Sequence, residues 1–296
     1  VSCMEEYLSR NHFDIIITTH LFPAEILTCM KRKGIHIPKA VFIATDYTCI
    51  PFTEETECDA YIIPSDKLKE EFADRGLPDE KLYPLGIPVD RCFSQKESRQ
   101  VACRRLGLDP DKRYILAAGG SMGGGKVKKV IQTLADEIAA RKDMELIVIC
   151  GSNKQMYNEL IQKALSGVTV IGFTSDMAEY MKAADLFVTK PGGLSSTEAA
   201  VCGIPLIHVA PIPGCETYNA RFFSDYGMSR YCHTSNRELA DALKILDSET
   251  ESDAMVRNQR KMIRPDAAER ISDFAERIAF ASQEDAVMNR EICLSE

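Results

Sequence analysis

Two glycine-rich turns hold the residues best suited to chemistry in this chain. The first, Gly119-Gly120-Ser121-Met122-Gly123-Gly124-Gly125-Lys126, follows an apolar run that ends at Ala118. A turn of this kind between a strand and a helix exposes backbone N–H groups at a helix N-terminus, a site suited to a diphosphate. Gly120, Gly125 and Lys126 have Walker A spacing, but Val127 stands where a nucleoside triphosphatase needs Ser or Thr to hold magnesium. A dinucleotide site needs an acid at the end of the next strand, and Cys150-Gly151-Ser152 stands there instead. Two readings remain: a loop facing a sugar nucleotide's diphosphate, and a tight turn that only packs helix on strand.

The second turn lies in Thr189-Lys190-Pro191-Gly192-Gly193-Leu194-Ser195-Ser196-Thr197-Glu198-Ala199-Ala200. Pro191, Gly192 and Gly193 force a turn, Ser195 and Ser196 are candidate N-caps, and the helix is expected to run on to Cys202. The helix start offers N–H groups and a positive dipole end to a phosphate. Glu198, expected in the first turn, has two readings. It complements the dipole, or its acceptor-only carboxylate takes both hydroxyls of a ribose.

The elements that must position these turns follow an α/β rhythm, in which short β-branched runs alternate with helical patterns. The first half predicts strands at Asp14–Thr19, Ala40–Ala44 and Ala60–Pro64, with helices at Pro23–Lys33 and Ser65–Arg75. Pro84 to Pro110 reads as a linker region. The second half predicts strands at Tyr114–Ala118, Leu146–Cys150, Val168–Gly172, Leu186–Thr189 and Leu206–Val209. Helices are expected between them at Lys126–Ala140, Gln155–Ala164, Met177–Ala184 and Ser196–Cys202. The predicted division is an acceptor-side domain over 1–95, a nucleotide-sugar domain over 96–265, and a C-terminal helix and tail over 266–296. The opening Val1-Ser2-Cys3 reads as a cut, a processed end or a gene fragment. With three strands against five or more, the first domain is expected to be incomplete, with residues missing upstream of Val1.

The bulk numbers remove several function classes. A net charge of −8 over 296 residues argues against a nucleic-acid partner. No apolar run approaches the ~20 residues a membrane span needs. The eleven cysteines never form a C-x-x-C pair, so they read as scattered reduced thiols rather than zinc ligands or disulfides, and no metal site is expected.

The run Thr189–Ala200, the strand Pro205–Val209 and Pro211-Ile212-Pro213-Gly214-Cys215-Glu216-Thr217-Tyr218-Asn219-Ala220 resemble family 28 glycosyltransferases, above all the diacylglycerol glucosyl- and galactosyltransferase branch. The enzyme that adds N-acetylglucosamine to the lipid-linked peptidoglycan precursor is a more distant likeness. Thr45-Asp46-Tyr47, Ala60–Asp66 and Gly86-Ile87-Pro88-Val89 resemble the same branch. The resemblance implies the GT-B fold: two Rossmann-like domains with a cleft between them. It implies an inverting transfer of a hexose from a UDP-sugar to a lipid acceptor at a membrane surface, with no separate cofactor. The implied location is cytoplasmic, peripheral on the inner face of the cell membrane. The alternatives are a nucleotide-sugar-binding fragment without turnover and a GT-B enzyme acting on a soluble acceptor.

By the same resemblance, Phe173 and Thr174 match a backbone pair that holds uracil, against a plain reading in which Phe173 packs in the core. Gly120, Ser121 and Gly123 match the loop facing the diphosphate; Lys190, Gly192, Gly193, Leu194 and Ser195 match the turn and helix start at the diphosphate. Glu198 matches the ribose carboxylate, and Glu216 and Asn219 the segment that contacts the sugar. Relatives often carry Gln where Cys215 stands, which leaves the sugar open. Relatives also carry a Gly-rich segment ending in His near the N-terminus, held to supply the acceptor-side catalytic residue. None precedes Phe13, so the base is expected upstream of Val1. His20 and Asp46, at strand ends of the first domain, are the weaker candidates; His208, inside an apolar strand, reads as core. The oligomeric state is not legible.

Overall fold

The computed structural model describes residues 1–118, 125–139, 141–232 and 236–280. Contacts divide the chain into two compact units, 1–88 joined by 264–296, and 89–263.

The first unit begins with helix α1 (Ser2–Arg10) and continues β1 (Ile15–Thr18), α2 (Leu21–Arg32), β2 (Lys39–Ile43), β3 (Ala60–Ile62), α3 (Lys69–Asp74) and β4 (Leu82–Tyr83). Its four strands pair in chain order, all parallel. The sequence predicts three of them. The fourth was missed because it has only two residues and lies beside the turn-rich stretch read as leading to a linker. Parallel strands are covered on both faces, so their residues run apolar rather than alternating. Ala40 through Ile43 are all buried.

The second unit begins inside the predicted linker, with α4 (Arg91–Ser94) and α5 (Arg99–Leu106). It continues β5 (Arg113–Ala118), α6 (Gly125–Ile138), β6 (Met144–Ile149), α7 (Lys154–Lys163), β7 (Val168–Ile171), α8 (Met177–Ala183), β8 (Leu186–Thr189), α9 (Gly193–Cys202), β9 (Leu206–Val209), α10 (Cys215–Asp225), β10 (Arg230–Cys232), α11 (Asn236–Ala242) and α12 (Glu249–Met262). Six parallel strands lie in the order β10-β9-β8-β5-β6-β7. Five of the six are the predicted ones; β10, three residues long, has too little apolar pattern to show in the sequence.

The last described helix, α13 (Ala267–Phe280), returns to the first unit. Ile271 and Phe274 join Val41, Ile43, Ala60, Ile62 and Leu85 in one core cluster. The Phe274 ring lies 4.3 Å from that of Tyr83. The helix that sequence sets apart as a tail therefore covers one face of the first sheet.

In the second unit, His208 is wholly buried in β9, as its apolar neighbours led one to expect. Ser196 Oγ lies 2.9 Å from its Nε2 and Ser229 Oγ 3.1 Å from its Nδ1. A neutral imidazole has one donor and one acceptor nitrogen, so two hydroxyls satisfy it. Burial pushes its pKa down from 6.5 to about 3.

Two outcomes follow from this packing. Phe274→Ala is expected to cost about 3 kcal/mol, from lost burial plus the cavity left behind, read by urea denaturation of the full chain. A loss under about 1 kcal/mol would show that α13 does not hold the sheet. The lowered histidine pKa sets a pH dependence with a definite sign. Below pH 6.5 the unfolded chain takes up a proton that the folded one refuses, so stability falls as pH drops toward 3. At pH 5 the loss from this group is about 2 kcal/mol. His208→Gln should flatten that slope between pH 7 and 5; an unchanged slope would assign it to another group.

Candidate functional site

Parallel strands all end on one edge of their sheet, so the segments that follow them emerge together. In the second unit the chain winds from β5 through β6 to β7 in one direction, then restarts at β8 and winds through β9 to β10 in the other. Loops leaving the two strands where the winding reverses diverge to opposite faces, and the crevice between them is where open α/β sheets bind ligands. Here those strands are β5 and β8, which end in register at Ala118 and Thr189. The Thr189 hydroxyl donates to the Ala118 carbonyl at 2.7 Å. Both glycine turns read from sequence leave from this point. Gly120, Ser121 and Gly123 lie outside the described residues.

After β8, the turn is built by backbone geometry. Gly192 N–H donates to Lys190 O at 2.8 Å, and Ser196 N–H closes the first helical turn on Gly192 O at 3.0 Å. The helix therefore begins at Gly193 with Gly192 as its N-cap and no side-chain cap bond. This corrects the expected caps. Ser195 instead bonds back to Gly192 O at 3.4 Å, and the Ser196 hydroxyl points inward to His208. An uncapped start leaves the leading N–H groups, those around Leu194 and Ser195, without intrahelical acceptors.

The earlier helix start also moves Glu198 into the second turn. The dipole-complement reading weakens there, because that effect fades within the first turn. Glu198 is half-buried, and among the described residues its carboxylate has no hydrogen bond or ion pair. Burial raises its pKa, and the like charge of Asp90, which caps α4 through Cys92 N–H at 2.8 Å, raises it further. Asp90 is a neighbour that the sequence did not show, because it stands 108 residues away in the predicted linker.

After β9, Ala210 takes a positive φ of 47° and Gly214 one of 109°, the latter open to glycine because it has no Cβ. Helix α10 then starts at Cys215. Glu216 in its first turn accepts the Ile212 N–H at 2.6 Å and pairs with Lys190 Nζ at 3.3 Å. That pair joins the segment after β8 to the segment after β9. Asn219 is fully buried and donates its amide to Pro191 O at 3.0 Å, so the contact seen for it supports the turn.

After β7, Phe173 is 80% exposed, which overturns the core-packing reading of its side chain. Thr174 Oγ1 accepts the Asp176 N–H at 3.0 Å and turns the chain into α8. Strands β8 and β7 are separated by β5 and β6, so their ends stand about 14 Å apart. An extended nucleoside diphosphate spans a comparable distance.

The first unit has its own candidate. His20 and Asp46 line one cavity of about 160 Å³ beyond the ends of β1 and β2, with Thr19, Thr45, Thr48 and Phe42. His20 caps α2 by accepting the Phe22 N–H on Nδ1 at 3.3 Å, which leaves Nε2 for other contacts. Among the described residues no group of three or more His, Cys, Asp or Glu is placed to hold a metal ion.

Residues 1–89 match the family model for monogalactosyldiacylglycerol (MGDG) synthase, and residues 114–277 match the glycosyltransferase family 28 C-terminal domain. A processive diacylglycerol beta-glucosyltransferase of Staphylococcus saprophyticus is 31% identical over 82% of this chain and 61% of its own length. The enzyme of the same name from Bacillus licheniformis is 26% identical over 97% of this chain and 73% of its own. Among solved structures, Staphylococcus aureus MnaA with UDP superposes with a TM-score of 0.70 at 14% identity, covering 93% of this chain and 78% of that one. The two parallel-sheet units are the Rossmann-like domains of a GT-B fold. The chain belongs to glycosyltransferase family 28, on the side of the family that holds the diacylglycerol glycosyltransferases.

Proposed function

We propose that this chain carries the donor site of an inverting glycosyltransferase, one that moves a hexose from a UDP-sugar to a hydroxyl of a diacylglycerol-type lipid. The observation that carries the reading is the reversal point between β5 and β8, where an uncapped helix start emerges with a half-buried carboxylate that has no partner among the described residues. The relatives named above are called processive diacylglycerol beta-glucosyltransferases, and the chain spans 61% of the length of the Staphylococcus saprophyticus one.

In this reading the uracil lies over the backbone at Phe173 and Thr174. The diphosphate meets the N–H groups at Gly193, Leu194 and Ser195, and Glu198 accepts the ribose hydroxyls. Lys190 and Glu216, already paired, close the sugar end. The reaction breaks the bond between C1 and the phosphate oxygen as the lipid oxygen attacks C1 from the opposite side. An α-linked donor thus gives a β-glycoside. The lipid hydroxyl loses its proton to a base. The charge that grows on UDP is held by the helix-start N–H groups and Lys190. His20 and Asp46 are the acceptor-side candidates within this chain, since one cavity at strand ends holds both. No helix among the described residues is long and apolar enough to cross a membrane. Phe13, Phe22 and Phe52 are exposed in the first unit and suit a peripheral contact with the inner face of the cell membrane.

Calorimetric titration with UDP tests the donor site. The wild-type chain should bind, and Glu198→Ala should weaken binding at least about tenfold, the scale of losing hydrogen bonds to a charged group. No UDP binding by a folded chain would overturn the reading. A transfer assay with UDP-glucose or UDP-galactose and diacylglycerol vesicles tests the acceptor. Labelled sugar should appear in the lipid fraction. UDP binding without transfer would leave a donor-binding chain without turnover, and transfer only to a soluble alcohol would replace the lipid.

A further inference from the structure

We infer that His208 is a positioning residue of the donor site: it fixes the start of α9 by a hydrogen-bonded bridge from Ser196 through its ring to Ser229. The inference rests on the donor-site reading above and adds a residue that touches no ligand.

The bridge sits where its effect would be felt. Ser196 is the residue whose own N–H closes the first turn of α9, so its side chain belongs to the turn that presents the free N–H groups. His208 pairs in register with Thr189, the last residue of β8, and with Tyr231 of β10. Ser229 lies just before β10. The ring is held edge-on against Phe223, with centroids 5.4 Å apart. Ser196, His208 and Ser229 are all buried.

The chemistry explains why an imidazole is used. The neighbours of His208 in β9 are Leu206, Ile207 and Val209, and an aliphatic side chain would fill the same space. Aliphatic packing is non-directional and lets a helix slide or rotate slightly on its sheet. A neutral imidazole carries a donor and an acceptor on opposite sides of a rigid ring, so it sets distance and direction at both ends. Three buried polar groups are costly unless all are satisfied, and here each has a partner. Around the same turn, Thr197 Oγ1 donates to Gly193 O at 2.7 Å and Asn219 to Pro191 O at 3.0 Å. Those ties hold the turn to its own helix and to α10. The histidine bridge ties it to the sheet.

The test compares UDP with uridine, because only UDP carries the diphosphate that meets the N–H groups of the helix start. Both are titrated calorimetrically against the wild type, His208→Leu, His208→Gln and the apolar triple variant Ser196→Ala, His208→Leu, Ser229→Ala. His208→Leu orphans two hydroxyls and is expected to lose stability. The triple variant removes every polar group together and should recover it. The expected result is a roughly tenfold loss of UDP affinity in both and a clearly smaller loss for uridine, which meets α9 only through Glu198 in its second turn. His208→Gln, with a donor and an acceptor, should keep most of the UDP affinity. Wild-type UDP affinity in the stable triple variant would overturn the inference, leaving His208 a packing residue. A parallel fall of UDP and uridine would overturn it too. A wild type that binds neither would instead sink the donor-site reading, and the inference with it.

Discussion

The candidate site depends on where a parallel sheet reverses its direction of winding. Every crossover between parallel strands has the same hand, so a helix goes to one face when the chain moves one way along the sheet and to the other when it moves back. At β5 and β8 the two directions meet. Loops at such a point leave toward opposite faces, and the turn of small residues after β8 begins there. No side chain needs to create the opening; the strand order does. Side chains then decide what the opening can hold.

The polar groups around it divide into those tied to the protein and those without a partner among the described residues. Thr189, Ser196, Thr197 and Asn219 are buried, and each bonds to a carbonyl or a ring nitrogen. These bonds preorganise the turn before any ligand arrives. Helix α9 starts without a side-chain cap, and the carboxylate of Glu198 has no hydrogen bond or ion pair among the described residues. Burial and then the like charge of Asp90 disfavour the ionised form of Glu198, as its raised pKa reflects.

The first unit shows a different constraint. Its four short strands cannot bury both faces of their sheet with the helices that lie between them in sequence. Helix α13 comes from the far end of the chain to cover the remaining face, with Ile271 and Phe274 in the cluster of Val41, Ile43, Ala60, Ile62 and Leu85. The core of the first unit thus includes residues beyond 263, contacts of long sequence separation.

The alternation of strands and helices, eight of the ten strands among the described residues, and the location of the glycine turn after β8 were legible in the sequence, because burial on both faces makes parallel strands continuous apolar runs and because Gly and Pro mark turns locally. The succession of strand, glycine turn and helix start after β8 was legible for the same reason. What the tertiary structure decided is everything that depends on strand order and distant partners. It set the helix start at Gly193 rather than Ser196, and so the placement of Glu198 in the second turn. It exposed Phe173, set Asp90 beside Glu198, joined Lys190 to Glu216, brought His20 and Asp46 to one cavity, and sent Ser196 to His208. Local pattern carries the period of an element and the conformations its residues permit. It carries no information on which strand lies next to which, and that neighbour relation, set by burial over the whole chain, determines which side chains meet.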